Sequence, residues 1–155
     1  MEPIGIAESP YKKIENMPIQ PRGAEDVQGR IRIYDPYVEG LRDLDGFSHI
    51  YLLYHFHKVS KTALVVTPFM DTVERGVFST RSPLRPNHIG LSVVELCSVD
   101  RGILTIRGID LLDGTPVLDV KPYIDKFDRV KNSRSGWMQS DAQGVAEQRS
   151  DDRFK

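Results

Sequence analysis

Arg81 and Arg85 stand four residues apart in "GVFSTRSPLRPNHIGLS", residues 76–92, with Pro83 between them and Pro86 and Asn87 directly after. Guanidinium forks bind carboxylate and phosphate in bidentate fashion. Proline fixes φ, so the loop needs little further ordering before it can hold a ligand. Asn87 offers a donor and an acceptor and tolerates left-handed backbone. The segment reads as a pre-organised anion or nucleotide site; the competing reading is a surface loop whose arginines pair with nearby acids. His55 and His57 are two apart in "FSHIYLLYHFHKV" and would share a strand face, a spacing that metals use. His49 and His88 have no motif around them, and Lys58 beside the pair would repel a cation. No metal is therefore expected: one histidine packs and the other lines a pocket.

"LLDGTPVLDVKPY" places Asp113 beside Gly114, and Asp119 two residues before Lys121. Asp113 makes an Asx turn or presents a carboxylate and backbone amides at a pocket rim. Asp119 and Lys121 would form a same-face ion pair on a strand. Lys121, Lys126, Arg129, Lys131 and Arg134 face only Asp125 and Asp128, with Tyr123 and Phe127 interleaved. That mixture suits either a single-stranded RNA loop or a solvated helix. Cys97 alternates with inward apolar residues and is expected to pack.

These residues need a small scaffold. A chain of 155 residues makes one domain, here a barrel over 1–138 with a polar C-terminal tail over 139–155. Hydrophobic content of 39% and charged content of 28% place it among globular proteins. No apolar run is long enough to span a membrane. An acid at position 2 and the lack of an apolar core near it argue against a signal peptide. One cysteine excludes an internal disulfide or a multi-cysteine zinc site and fits a reducing cytoplasm. A net charge of −1 gives no global support for nucleic-acid binding but leaves room for a local basic patch. No glycine-rich phosphate loop follows a strand, which argues against a dinucleotide cofactor.

The pattern is strand-like almost throughout. Ile4 and Ile6 open it, and "GRIRIY" turns Ile31 and Ile33 inward. "FSHIYLLYHFHKV" reads as a long central strand, "TALVVTPF" and "GVFST" as two more. "IGLSVVELCSV" and "GILTIRGIDLL" form a hairpin through "DRG", and "DGTP" turns into a strand ending before Pro122. "MPIQPRG" is an ordered loop, "YVEGLRDLDG" holds one helical turn, and "DKFDRVKNSRSG" forms a short helix or an arm. Many short strands predict an all-β fold, a barrel or sandwich; closure into a barrel removes edges, and dimerisation can cover the rest.

In this order, "IGIAESPY", "FSHIYLLYHFHK", "GVFSTRSPLRPNHIGLS" and "DGTPVLDVKPY" resemble the TsaA-like family, also called TrmO, over residues 3 to 125. The resemblance implies a homodimeric, S-adenosylmethionine-dependent β-barrel methyltransferase. Its target would be N6 of threonylcarbamoyladenosine beside the tRNA anticodon. Bacterial relatives often carry a further C-terminal domain, for which this chain is too short. Carried over residue by residue, cofactor contacts fall on Pro21, Arg22, Gly23, His57, Lys58, Arg81, Leu91 and the turn Asp113, Gly114, Thr115, Pro116. Gly23 and Lys58 each stand where the family often has glutamine. Asn87, Asp113 and Asp119 are the candidate catalytic acceptors of the N6 hydrogen, unranked. Arg85, Lys58 or Lys121 would meet the threonyl carboxylate, and Lys121, Lys126 and Arg129 belong to the run that would grip the anticodon loop. Two other readings stand beside this one: a non-catalytic RNA-binding barrel, and a metal-dependent enzyme built on His55 and His57.

Overall fold

The computed structural model describes residues 1–15, 17–18, 24–69, 71–138 and 149. Six strands close into an antiparallel barrel: β1 (Gly5–Glu8), β2 (Gln28–Ile33), β3 (His49–His55), β6 (Ile89–Asp100), β7 (Ile103–Arg107) and β8 (Pro116–Pro122). Around the barrel the order is β1-β2-β7-β6-β3-β8, and β8 returns to β1 through Gly5↔Val117. Two short strands, β4 (Val65–Val66) and β5 (Arg75–Gly76), pair as a separate ribbon.

Alternation builds the core. In β2, Gly29, Ile31 and Ile33 face inward while Gln28, Arg30 and Arg32 face solvent. Ile31, Ile50, Leu52, Leu104, Ile106, Ile109 and Val117 are fully buried. The β6–β7 turn has Arg101 at φ 44° and Gly102 at φ 81°. Two positive φ values in a two-residue loop match the right-handed twist of the strands it joins.

Several expected boundaries move. β3 stops at His55, because the His57 N–H turns back to the His55 carbonyl at 2.8 Å. His55 and His57 therefore do not share a strand face. "TALVVTPF" contributes only Val65 and Val66, and "GVFST" becomes a 3-10 turn over Val77–Ser79. β7 ends at Arg107, short of "GIDLL". Leu96 pairs with Ile106 and Ser98 with Thr105, so Cys97 is the extra residue of a bulge and is exposed rather than packed. "YVEGLRDLDG" falls in two 3-10 turns, Asp35–Leu41 and Leu44–Gly46, and "DKFD" is the short helix α1 (Asp125–Asp128).

Antiparallel topology gives the barrel two poles. One collects the end of β1, the end of β3, the loop before β6, the end of β7 and the turn before β8. Backbone bonds tie them: Phe56 N–H to the His88 carbonyl (2.8 Å), Gly114 N–H to Ala7 (2.9 Å) and Asp113 N–H to Tyr11 (2.8 Å). The opposite pole carries the Arg101–Gly102 turn and the C-terminal end of β8, where Tyr123 N–H meets the His49 carbonyl at 3.0 Å. Among the described residues, no helix is long and apolar enough to cross a membrane.

Candidate functional site

The loop 77–88 is braced by its own hydroxyls. Thr80 Oγ1 donates to the Val77 carbonyl (2.8 Å) and accepts from Ser82 N–H (3.1 Å), and Ser82 Oγ accepts from Leu84 N–H (3.2 Å). Leu84 is buried with Val66 and Val77 in a small second core, which pins the loop from below. Arg85 donates from Nη1 to the Thr80 carbonyl (2.9 Å) and the Ser82 carbonyl (3.3 Å), and its guanidinium lies 6.0 Å from the Phe78 ring centroid. Its ordering thus comes from main-chain oxygens rather than from an acid. His88, at φ 49°, has Nδ1 2.9 Å from the Pro83 carbonyl, so that nitrogen carries the proton. A depression of about 260 Å³ lies between Phe78, Arg85, Pro86, Asn87 and Ile89. Asn87 is exposed at its edge.

At the same pole, His57 follows the end of β3 and Lys58 is exposed beside it. Burial holds His57 below the ordinary histidine range, and Lys58 and His55 add to that push. The His55 and His88 rings lie 6.3 Å apart. Among the described residues no three His, Cys, Asp or Glu side chains gather as a metal set, so the metal-enzyme reading finds no third ligand.

The turn before β8 is locked into β1. Asp113 Oδ1 accepts from Ser9 N–H at 2.9 Å and Oδ2 pairs with Lys12 Nζ at 2.7 Å. These bonds, that from Lys12 first, hold its carboxyl below the usual range. Asp113 is thus a long-range clasp rather than a local Asx turn. Buried Thr115 closes the turn instead, its N–H and Oγ1 both donating to the Leu112 carbonyl at 3.1 and 2.6 Å. Gly114 takes φ 78°, and Pro116 begins β8.

The remaining expected residues lie elsewhere. Leu91 points outward from β6, 45% exposed, opposite Leu53. Asp119 also faces Leu53 and pairs with Lys121 at 2.8 Å, as the spacing suggested. Lys121, Lys126 and Arg129 sit toward the opposite pole, about 15–20 Å along β8 and beyond from the turn at 113–116. Pro21, Arg22 and Gly23 fall outside the described residues, as does most of the polar tail.

Two features went unforeseen. The first is a polar chain inside the barrel at this pole: Tyr54 Oη lies 3.2 Å from Ser92 Oγ, which lies 2.9 Å from Asp110 Oδ1. Asp110, Ser92 and Tyr54 are all buried. Burial pushes the Asp110 carboxyl up to about 7, against the hydrogen bond from Ser92 and the nearby Arg81 guanidinium. Burial likewise raises Tyr54, with Asp110 adding to it. The sequence signal was a serine at an inward position of "IGLSVVEL" and an acid set between Ile109 and Leu111. The second is Trp137, whose Nε1–H donates to the Ser79 carbonyl at 2.8 Å under the Arg75 guanidinium. The C-terminal segment thereby returns to the Arg81 loop.

A sequence profile of the tRNA-methyltransferase O N-terminal domain matches residues 6–129. The chain belongs to that family. Within the TrmO family, a probable S-adenosyl-L-methionine-binding protein of Pyrococcus abyssi is 46% identical over 98% of this chain and 83% of its own length. The tRNA (adenine(37)-N6)-methyltransferase of Escherichia coli is 38% identical over 90% of this chain and 63% of its own. The crystal structure of TrmO from Pseudomonas aeruginosa superposes with a TM-score of 0.73 at 40% identity, over 88% of this chain and 60% of that one. This chain therefore spans about 60% of the solved TrmO chain it resembles.

Proposed function

We propose that this TrmO-family barrel is an S-adenosylmethionine-dependent methyltransferase that modifies N6 of threonylcarbamoyladenosine beside the anticodon of tRNA. The observation that carries the reading is convergence. The arginine loop, the end of β3 and the turn before β8 are far apart in sequence, yet all lie at one pole of a barrel matched by the family profile from 6 to 129. A relative with 46% identity is described as binding the same cofactor, which supports it.

The residues at this pole fit such a ligand. Phe78 and Ile89 offer apolar walls, Arg81 and Arg85 offer cations for a carboxylate, and the turn at 113–116 offers backbone. S-adenosylmethionine, when bound, supplies a methyl made electrophilic by its sulfonium. Arg81 holds the anionic end. Asn87 is the favoured acceptor of the N6 hydrogen, because Asp113 is already committed to Ser9 and Lys12, and Asp119 to Lys121. Arg85, fixed on the Thr80 and Ser82 carbonyls, keeps its remaining donors for the threonyl carboxylate. Lys121, Lys126 and Arg129 would grip phosphates farther along the anticodon arm. Exposed Leu91 and Val93, beside half-buried Leu53, suit a second copy of the chain, and a cytoplasmic setting belongs to the same reading.

Incubation with threonylcarbamoylated tRNA and S-adenosylmethionine should add one methyl to that nucleoside by mass spectrometry, and none to unmodified adenosine. Asn87→Ala should lower kcat with cofactor affinity unchanged. Arg81→Ala should weaken cofactor binding about 10- to 100-fold, the scale of a charged hydrogen bond. RNA binding with neither methyl transfer nor any thermal shift on adding S-adenosylmethionine would leave the RNA-binding barrel as the better account.

A further inference from the structure

The chain beyond β8 joins the two poles of the barrel. It starts at the opposite pole, where Tyr123 N–H bonds the His49 carbonyl at 3.0 Å and the Tyr123 ring lies 5.7 Å from that of Tyr51. It comes back to the functional pole, where Trp137 Nε1–H bonds the Ser79 carbonyl at 2.8 Å. This second end is held twice, because the Arg75 guanidinium over the Trp137 ring is itself paired with Asp71 at 2.6 Å. β8 is seven residues long, so about 20 Å of strand separates the two anchors. Near its start the strap makes the single turn of α1, closed by Asp128, whose Oδ2 accepts from the Ile124 N–H at 2.7 Å.

Between the anchors stand Lys126, Arg129, Lys131 and Arg134, all exposed, with two acids, Asp125 and Asp128. Among the described residues, none of these four cations makes an ion pair. Cations on the barrel wall behave differently: Arg30 and Arg32 share Glu8, Arg107 pairs with Glu95 and Lys121 with Asp119. A chain of net charge −1 thus gathers unneutralised positive charge on one strap. Set among these cations is Phe127, 77% exposed, and no other ring packs on it among the described residues. A bare ring amid cations suits a ligand with flat faces on an anionic thread, which describes single-stranded nucleic acid. An anionic lipid surface would also take both, but this strap leads to the arginine loop, where an adenine is the proposed substrate.

We propose that the strap 123–137 is a track for single-stranded RNA. Its four cations hold phosphates, Phe127 stacks on a base, and the strand is led from the opposite pole to the arginine loop. This rests on the methyltransferase reading for the identity of the RNA and deepens it, adding Phe127, Lys131 and Arg134 to the interface. None of these residues lines the depression between Phe78 and Ile89, so the grip on RNA is separable from cofactor binding.

Fluorescence anisotropy with an unmodified synthetic anticodon stem-loop RNA, repeated across salt concentrations, tests this. The double variants Lys126→Ala with Arg129→Ala, and Lys131→Ala with Arg134→Ala, should each weaken binding about tenfold near 0.1 M salt. Each should also flatten the dependence of log affinity on log salt by about 1.4, or about 0.7 for every phosphate released. Phe127→Ala should weaken binding about tenfold at unchanged salt slope, and Phe127→Trp should restore it. Arg42→Ala, a cation outside the strap, should change neither. In methyl transfer to threonylcarbamoylated tRNA, the strap variants should raise KM for RNA and leave kcat and S-adenosylhomocysteine affinity as in wild type. A salt slope unmoved by both double variants, or Phe127→Ala binding like wild type, would overturn the inference even where methyl transfer proceeds. Anionic phospholipid vesicles held by these residues, with the RNA titration unmoved, would overturn it in favour of a membrane surface. A wild-type protein that binds the stem-loop through the strap but methylates no tRNA overturns the methyltransferase reading and leaves the RNA track standing.

Discussion

Gly90 shows how little freedom single residues have at the functional pole. It lies opposite Tyr54 across the β3–β6 ladder, and its missing side chain is the space the phenol ring fills. Gly90→Ala should destabilise the fold by about 1–3 kcal/mol, the usual cost of overpacking, read from the denaturant midpoint. Tyr54→Leu in the same background should recover part of that loss, because the obstruction is the ring itself. At this scale the sequence was legible where residues come in dense polar blocks. Arg81, Asn87 and the turn from Asp113 to Pro116 stood out by composition and lie at one pole. Asp110 did not stand out. It lies past the end of β7, in a segment expected to be strand, where the Gly108 and Ile109 N–H groups instead bond the distant Val27 carbonyl. Asp113 was read either as an Asx turn or as a carboxylate at a pocket rim, while its bonds run to Ser9 and Lys12, about a hundred residues earlier.

Among elements, alternation was a sound guide to strand faces and a poor one to strand ends. Ile31 and Ile33 point inward as their spacing required. β3 was drawn too long, since Phe56 and His57 keep an apolar-aromatic composition after the chain has turned. Cys97 was expected to pack, but it follows Leu91, Val93 and Glu95 on the outward face of β6 and stands at the bulge in the ladder. The tie from Trp137 to Ser79 had no sequence signature, because it joins segments 58 residues apart. Trp137→Phe keeps a ring under Arg75 but removes the hydrogen bond, worth about 1 kcal/mol. If that bond steadies the arginine loop, S-adenosylhomocysteine affinity should fall about two- to fivefold by calorimetry; an unchanged value would make the tie purely structural. The sole tryptophan is also a built-in reporter, whose emission should shift on ligand binding.

For the whole molecule, closure of six strands pairs every barrel edge, so the barrel does not need a partner for its backbone. The side chains argue differently. Leu91 is 45% exposed and Val93 36%, beside half-buried Leu53 and Tyr51, and Phe78 is 73% exposed nearby. Exposed apolar side chains of this kind suit the second copy proposed above. Leu91→Glu should convert a dimer to a monomer by light scattering, with the thermal midpoint of the monomer little changed.

The tight Arg101–Gly102 bend lies at the pole remote from Arg81 and Asp110. A fluorophore, an affinity handle or a covalent linkage to a sensor chip can be grafted at that bend with a short glycine spacer. The protein would then stand in one orientation, its arginine loop open to the solution, which is the geometry that surface-based measurements with S-adenosylhomocysteine need.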